Sequence, residues 1–259
     1  MSKNKQNLSS PPSGGANRRE QLRQQQAQAA REKKARTVVT FSVLGVALAV
    51  IVGVVVWGIA SATRNSSTSQ AQASGAATED YSLVIGEQDA PVTVAIYQDF
   101  MCPYCGQFER TNRDDLEALV ADGTTKVEFH LMNFLDSSSQ GTNYSTRAAN
   151  ALVTVAKSEP EHVMALNAAL YDNQPDEGTS GLSDTEIADL ASEAGVSDAV
   201  ISTFADLSNA DFVDGSNDAA AADGVTSTPT IKINGEEFSG SQIYTAGMLK
   251  SAVEDAAGR

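Results

Sequence analysis

Asp99-Phe100-Met101-Cys102-Pro103-Tyr104-Cys105 decides how this chain is read, because it holds the only two cysteines of the 259 residues. Just before it, Pro91-Val92-Thr93-Val94-Ala95-Ile96-Tyr97 is β-branched and apolar almost throughout, as a buried strand requires. After it, Phe108, Leu116, Leu119 and Val120 recur at the spacing of one helix face. The thiols therefore fall where a strand gives way to a helix. Residues three apart on a helix share a face at about 5–6 Å, within the Cα separation that a disulfide bridges. At the helix N-terminus Cys102 meets free backbone N–H groups and the positive end of the dipole, which favour thiolate over thiol. Pro103 suits the first helical position, where its missing N–H would have had no partner. The pattern points to Cys102 as an accessible nucleophile and to Cys105 as a buried resolving thiol.

Other uses of a cysteine pair compete with this one. An inert structural disulfide is common in exported proteins, but closing so short a loop constrains the unfolded chain little. A zinc site takes about four ligands. The chain offers no second cysteine pair, and its two histidines stand far apart: His130 reads as a strand residue and His162 as a helix-surface one. Neither a metal nor an organic cofactor is expected.

Working outward, Lys126 to Phe134 returns to strand character, and strand, helix and strand in succession are the signature of a parallel βαβ unit in an α/β protein. Residues 143–222 then read as almost entirely helical. Within them, 145–157 is Ala- and Leu-rich, and 161–171 continues the pattern after Pro160. Ser183 with Glu186 makes a capping box before Ile187 and Leu190, and Ser197 is placed to cap the segment holding Val200, Ile201 and Phe204. Thr230-Ile231-Lys232-Ile233 is a strand, Asn234-Gly235 a two-residue hairpin signal, and Glu236-Glu237-Phe238 its return. A last helix is expected over about 245–257. Thr226-Ser227-Thr228-Pro229-Thr230 leads into the first of these strands, and by itself Pro229 reads as an ordinary trans loop proline.

Charge divides the chain. Residues 1–37 hold nine Lys/Arg and two Asp/Glu, a net of +7, whereas residues 65–259 hold eight and thirty-one, a net of −23. So acidic a body excludes a nucleic-acid partner, which needs a basic face. Between the two blocks, residues 38–60 contain no charge and no proline. As a helix these 23 residues reach about 35 Å, enough to cross a hydrocarbon core of about 30 Å. Arg31, Lys33, Lys34 and Arg36 precede the segment and only Arg64 follows it closely, so the positive-inside rule places the N-terminus in the cytoplasm. The expectation is a single-pass cell-membrane protein: a basic disordered tail (1–37), a transmembrane helix in the bilayer (38–60), a flexible Ser/Thr/Ala/Gln linker (61–79) and an extracytoplasmic domain (80–259). Ala60-Ser61-Ala62 also resembles a signal cleavage site. With or without cleavage the acidic domain is exported.

Taken together, the Cys102-Pro103-Tyr104-Cys105 block, the central helical stretch, and Gly224-Val225-Thr226-Ser227-Thr228-Pro229-Thr230 before Ile231-Lys232-Ile233-Asn234-Gly235 resemble the DsbA-like branch of the thioredoxin superfamily. The resemblance covers about residues 80–257 and includes membrane-anchored forms from Gram-positive bacteria. It implies an α/β thioredoxin fold with a helical insertion at about 140–223. It also implies a cis peptide before Pro229 beside the cysteine pair, and Thr228 presenting its backbone to an extended substrate. The implied activity is protein thiol–disulfide exchange: disulfides donated to exported proteins with free thiols, and a membrane partner that re-oxidises the enzyme. The same residues run backwards make a reductase or isomerase served by a reducing partner, and a peptide-binding module without redox turnover is a third reading. Two departures matter. The buried acid six residues before the first cysteine of the well-known periplasmic oxidase is replaced by Ile96, and its histidine after the proline by Tyr104, as in glutaredoxins. Pro103 and Tyr104 are the expected redox-tuning residues. Asp99 is a candidate substitute for the missing acid, although a carboxylate at a strand end is ordinarily solvated.

Overall fold

A computed structural model describes residues 77–258. The tail at 1–37, the apolar segment at 38–60 and most of the linker expected over 61–79 lie outside the described residues. Among the described residues no helix is long and apolar enough to cross a membrane.

Five strands form one sheet. They are β1 (Leu83–Ile85), β2 (Val92–Gln98), β3 (Thr125–Leu131), β4 (Thr230–Ile233) and β5 (Glu236–Glu237), in spatial order β1-β3-β2-β4-β5. β2 and β3 run parallel, with Val94 opposite Val127 and Ile96 opposite Phe129. A parallel pair needs a crossover, here α1 (Pro103–Ala121). β4 lies antiparallel on the other side of β2, with Ile231 opposite Ile96. Asn234 and Gly235 turn the chain into β5 with φ of 48° and 86°, the doubly positive pair that a tight hairpin demands. Sequence periodicity overlooked β1, three residues too short to show alternation, which pairs antiparallel with β3.

Val92, Val94 and Ile96 of β2 face the main core with Phe108, Leu116 and Leu119 of α1. Ala95 and Tyr97 point the other way, into a small cluster with Met132, Ala220 and Val225. Both faces of β2 are covered, and this is why its sequence runs apolar without alternation.

Between β3 and β4 the chain builds α2 (Tyr144–Ser158), α3 (Val163–Asp172), α4 (Asp184–Glu193), the short α5 (Asp198–Ile201) and α6 (Ala210–Ala222). Nine residues of α2, among them Ala148, Ala149, Leu152, Val153 and Val155, are fully buried, so it is the axis of this block. The capping box of α4 forms as expected, with Ser183 Oγ accepting from Glu186 N and the Glu186 carboxylate accepting from Ser183 N. Ser197 holds the N-cap position of α5, but its hydroxyl donates to Glu159 at 2.6 Å instead of capping, because that carboxylate also accepts the Ser197 N–H. The last helix, α7 (Met248–Ala256), starts three residues later than expected: residues 241–244 form a separate 3-10 turn, and Gly247 enters the helix at φ 78°.

Ion pairs tie the block to the sheet domain. Arg113 of α1 bridges Glu109 at 2.6 Å and Asp172 at the end of α3 at 2.7 Å, and Arg110 Nη1 donates to the Tyr171 carbonyl at 2.7 Å.

Candidate active site

β2 ends at Gln98 and α1 begins at Pro103, so the four residues from Asp99 to Cys102 form a loop that turns above the sheet edge. Cys102 is the N-cap of α1, with extended φ and ψ of −74° and 116°, and Pro103 follows at the first helical position. The Cys102 carbonyl accepts the N–H groups of Cys105 and Gly106 at 3.0 and 3.2 Å, which closes the first turn and places Cys105 one turn above its partner. Both cysteines are free thiols. Cys102 keeps 6% of its surface exposed and Cys105 1%, so the first sulfur is more enclosed than an accessible nucleophile suggests.

The loop before β4 comes down onto this turn. The Thr228-Pro229 peptide is cis, and the Thr228 carbonyl faces Cys102 Sγ at 3.4 Å. Residues far apart in the chain, Cys102, Cys105, Thr228 and Pro229, are thus brought together. Tyr104 projects outward, 62% exposed, with its ring 6.3 Å from that of Tyr244.

The two thiols sit in opposed electrostatic environments. Cys102 is pulled down to about 6, first by the hydrogen bond from the Cys105 thiol and then, against the opposing effect of burial, by the Thr228 side chain and the N–H groups of Cys105 and Tyr104. Cys105 is pushed well above an ordinary thiol by its burial and by the charge it faces on Cys102. A pair in which one sulfur holds the negative charge and the other the proton is arranged for thiol–disulfide exchange.

Asp99 corrects the sequence expectation of a solvated carboxylate. It has no exposed surface. Its carboxylate accepts from Met101 N at 2.8 Å, Leu135 N at 2.9 Å and Ser145 Oγ at 2.6 Å, so it knits the loop to the chain after β3 and to α2. Burial outweighs these bonds and the carboxyl is raised to about 6, the Cys102 charge adding to the rise. Ile96, in place of the acid that the resemblance leads one to seek, packs in the apolar core at 1% exposure. Ser145, Leu135 and Gln174 also reach this loop, and none carried a sequence signal of its own. The nearest hint was Gly106, a glycine inside a helix, which calls for a packing reason. His130 stacks on Tyr97 at 4.2 Å on the far side of the sheet, and His162 lies half-buried in a 3-10 turn before α3.

The strand order and the paired thiols at one helix start define the class, a thioredoxin-fold protein with a helical block inserted before its β4–β5 hairpin. The family model described as Thioredoxin matches residues 78–255, and the chain belongs to that family. Among solved structures it is similar to reduced DsbA from Mycobacterium tuberculosis, at 29% identity and a TM-score of 0.60 over 69% of this chain and 93% of that one. It is also similar to the reduced disulfide bond oxidoreductase DsbG of the same organism, at 30% identity and 0.61 over 72% and 92%. A curated relative, the serine/threonine-protein kinase PknE of M. tuberculosis, is 38% identical over 135 residues, 49% of this chain. The aligned part is 24% of that protein, so the chain spans about a quarter of the length of the curated relatives it matches. With these neighbours, the chain is a DsbA-like protein thiol–disulfide oxidoreductase.

Proposed function

We propose that the chain donates disulfides to exported proteins with free thiols through its Cys102-Pro103-Tyr104-Cys105 site, as a membrane-anchored enzyme whose catalytic domain lies outside the cytoplasm. The observation that carries the reading is the asymmetry of the pair: Cys102 lowered to about 6 and Cys105 raised beside it. In the disulfide form, a substrate thiolate attacks Cys102 Sγ. The Cys102–Cys105 bond breaks, its electron pair leaves on Cys105, and Cys105 takes up a proton. A second substrate thiolate then attacks the substrate sulfur of the mixed disulfide and expels Cys102 as a thiolate. The substrate loses two electrons and the enzyme ends as the dithiol.

Direction follows from which form the protein stabilises. A thiolate favoured on Cys102 stabilises the reduced enzyme, so its disulfide is readily given up. The same atoms run backwards would serve a reductase or isomerase, a role that an unperturbed Cys102 would suit better. Thr228 and Pro229 border the sulfur from the opposite loop, and the Thr228 backbone is the proposed seat for an extended substrate segment. Asp99, Pro103 and Tyr104 tune the pair. A membrane partner that accepts electrons from the dithiol completes the cycle, and the anchor at residues 38–60 keeps the domain beside it.

The experiment is equilibration of the full chain with glutathione buffers, read by thiol alkylation. Tyr104 adds no cation, so the potential should lie nearer glutaredoxins than the histidine-bearing oxidase, at roughly −150 to −230 mV against about −120 mV. A value below about −260 mV, in the thioredoxin range, would reject the donor direction in favour of reduction.

A further inference from the structure

Gln174 stands two residues beyond the end of α3, half-buried, with its backbone N–H on the Tyr171 carbonyl at 3.3 Å. No step of thiol exchange uses it. Its side-chain Nε2 nonetheless reaches the cysteine loop and donates to the carbonyl of Phe100 at 3.0 Å and to that of Cys102 at 2.8 Å. Both partners are carbonyls, so only the NH2 end of the amide can face them. The two carbonyls belong to the peptide units on either side of Met101-Cys102, and the second unit joins Cys102 to Pro103. One amide therefore pins the backbone on both sides of the Cys102 side chain.

An independent feature of α1 matches it. Gly106 lies in the first turns of that helix, where alanine would be the better helix former. A Cβ at this position would stand 2.1 Å from Gln174 Oε1 and 2.9 Å from its Cδ, so any side chain there would displace the amide. The end of α3 makes a third contact with the same loop, the Tyr171 hydroxyl donating to the Asp99 carbonyl at 3.3 Å.

We propose that Gln174, contributed by the helical insertion, is a positioning residue for thiol exchange. Its amide holds residues 100–102 so that Cys102 Sγ stays aligned with the first-turn N–H groups of α1, and Gly106 is the glycine that admits it. The inference rests on the reading of Cys102 as the nucleophile. Hydrogen bonds to a thiolate are directional and weaken steeply as they bend. A loop released from Gln174 spreads the sulfur over several orientations, and the thiolate loses part of its stabilisation.

The test uses the full chain, reduced, as wild type, Gln174→Ala, Gln174→Glu, Gly106→Ala and the double variant Gly106→Ala/Gln174→Ala. Alkylation of Cys102 by iodoacetamide is followed against pH by mass spectrometry, beside thermal melting and exchange with an insulin disulfide. Gln174→Ala should raise the Cys102 midpoint by about one pH unit, a thiolate fraction about tenfold smaller below the midpoint. Gln174→Glu should raise it further, since a carboxylate donates nothing and adds like charge. Gly106→Ala, which keeps the amide but displaces it, should reproduce Gln174→Ala. In the double variant the methyl occupies space the amide has left and meets only the flexible end of Arg110, whose Nη1 would stand 2.9 Å away, so the glycine change should add nothing to the Cys102 midpoint. A Cys102 midpoint unmoved by Gln174→Ala and by Gly106→Ala, or additive shifts in the double variant, would overturn the proposal. Alkylation reads the clamp without turnover. A midpoint that responds in a chain exchanging no disulfide supports the clamp and rejects the catalytic reading, whereas turnover with an unresponsive midpoint rejects the clamp alone.

Discussion

Asp99 combines a fully buried carboxylate with three neutral partners, the Met101 and Leu135 N–H groups and the Ser145 hydroxyl. Its folded value of about 6 lies above the unfolded value of about 3.9, so between these limits the folded chain binds more protons. Stability from this group is then present at low pH and declines as pH rises from about 4 to about 6. Asparagine has no such titration. Urea unfolding of wild type and Asp99→Asn at pH 4.5 and pH 7 should show wild type losing ground to the variant at the higher pH, by about 2 kcal/mol. A wild type that gains ground would mean that the hydrogen bonds, not burial, set its ionisation. At this scale the sequence exposed the two thiols, because residue type and spacing alone define them. The burial of Asp99 was not visible, since it depends on Ser145 and Leu135, 46 and 36 positions away.

Between elements, one charged cluster joins α1 to α3. Glu109 is 6% exposed and raised by burial despite the compensating Arg113, which also reaches Asp172. Removing one partner of a buried pair leaves the other charge uncompensated, so Arg113→Ala should cost about 3 kcal/mol in urea denaturation. The companion change Glu109→Gln in that background should recover part of the loss. A cost below about 0.5 kcal/mol would place the pair among surface bridges of little worth. β2, α1 and α2 were legible in sequence, β2 as an unbroken apolar run buried on both faces and the two helices because each buries a continuous face. β1 was not, and the delayed start of α7 follows from the 3-10 turn at 241–244, which no local composition announces. The cap expected of Ser197 failed because Glu159, 38 residues earlier, outcompetes the helix for its hydroxyl.

Across the whole molecule, redox state is tied to stability. The reduced folded protein holds Cys102 as a thiolate from about pH 6, whereas in the unfolded chain a thiol ionises near about 8.5. The folded state binds fewer protons between these values, so the reduced form should gain stability as pH rises across that window, by at most about 1.4 kcal/mol per pH unit. The disulfide form has no such thiol and should show no matching gain, which melting both forms from pH 6 to 8.5 will check. Topology is tested separately: a reporter active only outside the cytoplasm, fused after Ala77, should be active, and an intact but silent fusion would reject the orientation. The central claim is that Cys102 attacks and Cys105 resolves. It is tested most directly by presenting a peptide disulfide to the reduced full chain, as Cys105→Ser and as Cys102→Ser, and weighing the products. The account predicts a stable peptide adduct on Cys102 in the first variant and no adduct in the second; adducts on Cys105 in the second, or none in either, would contradict it.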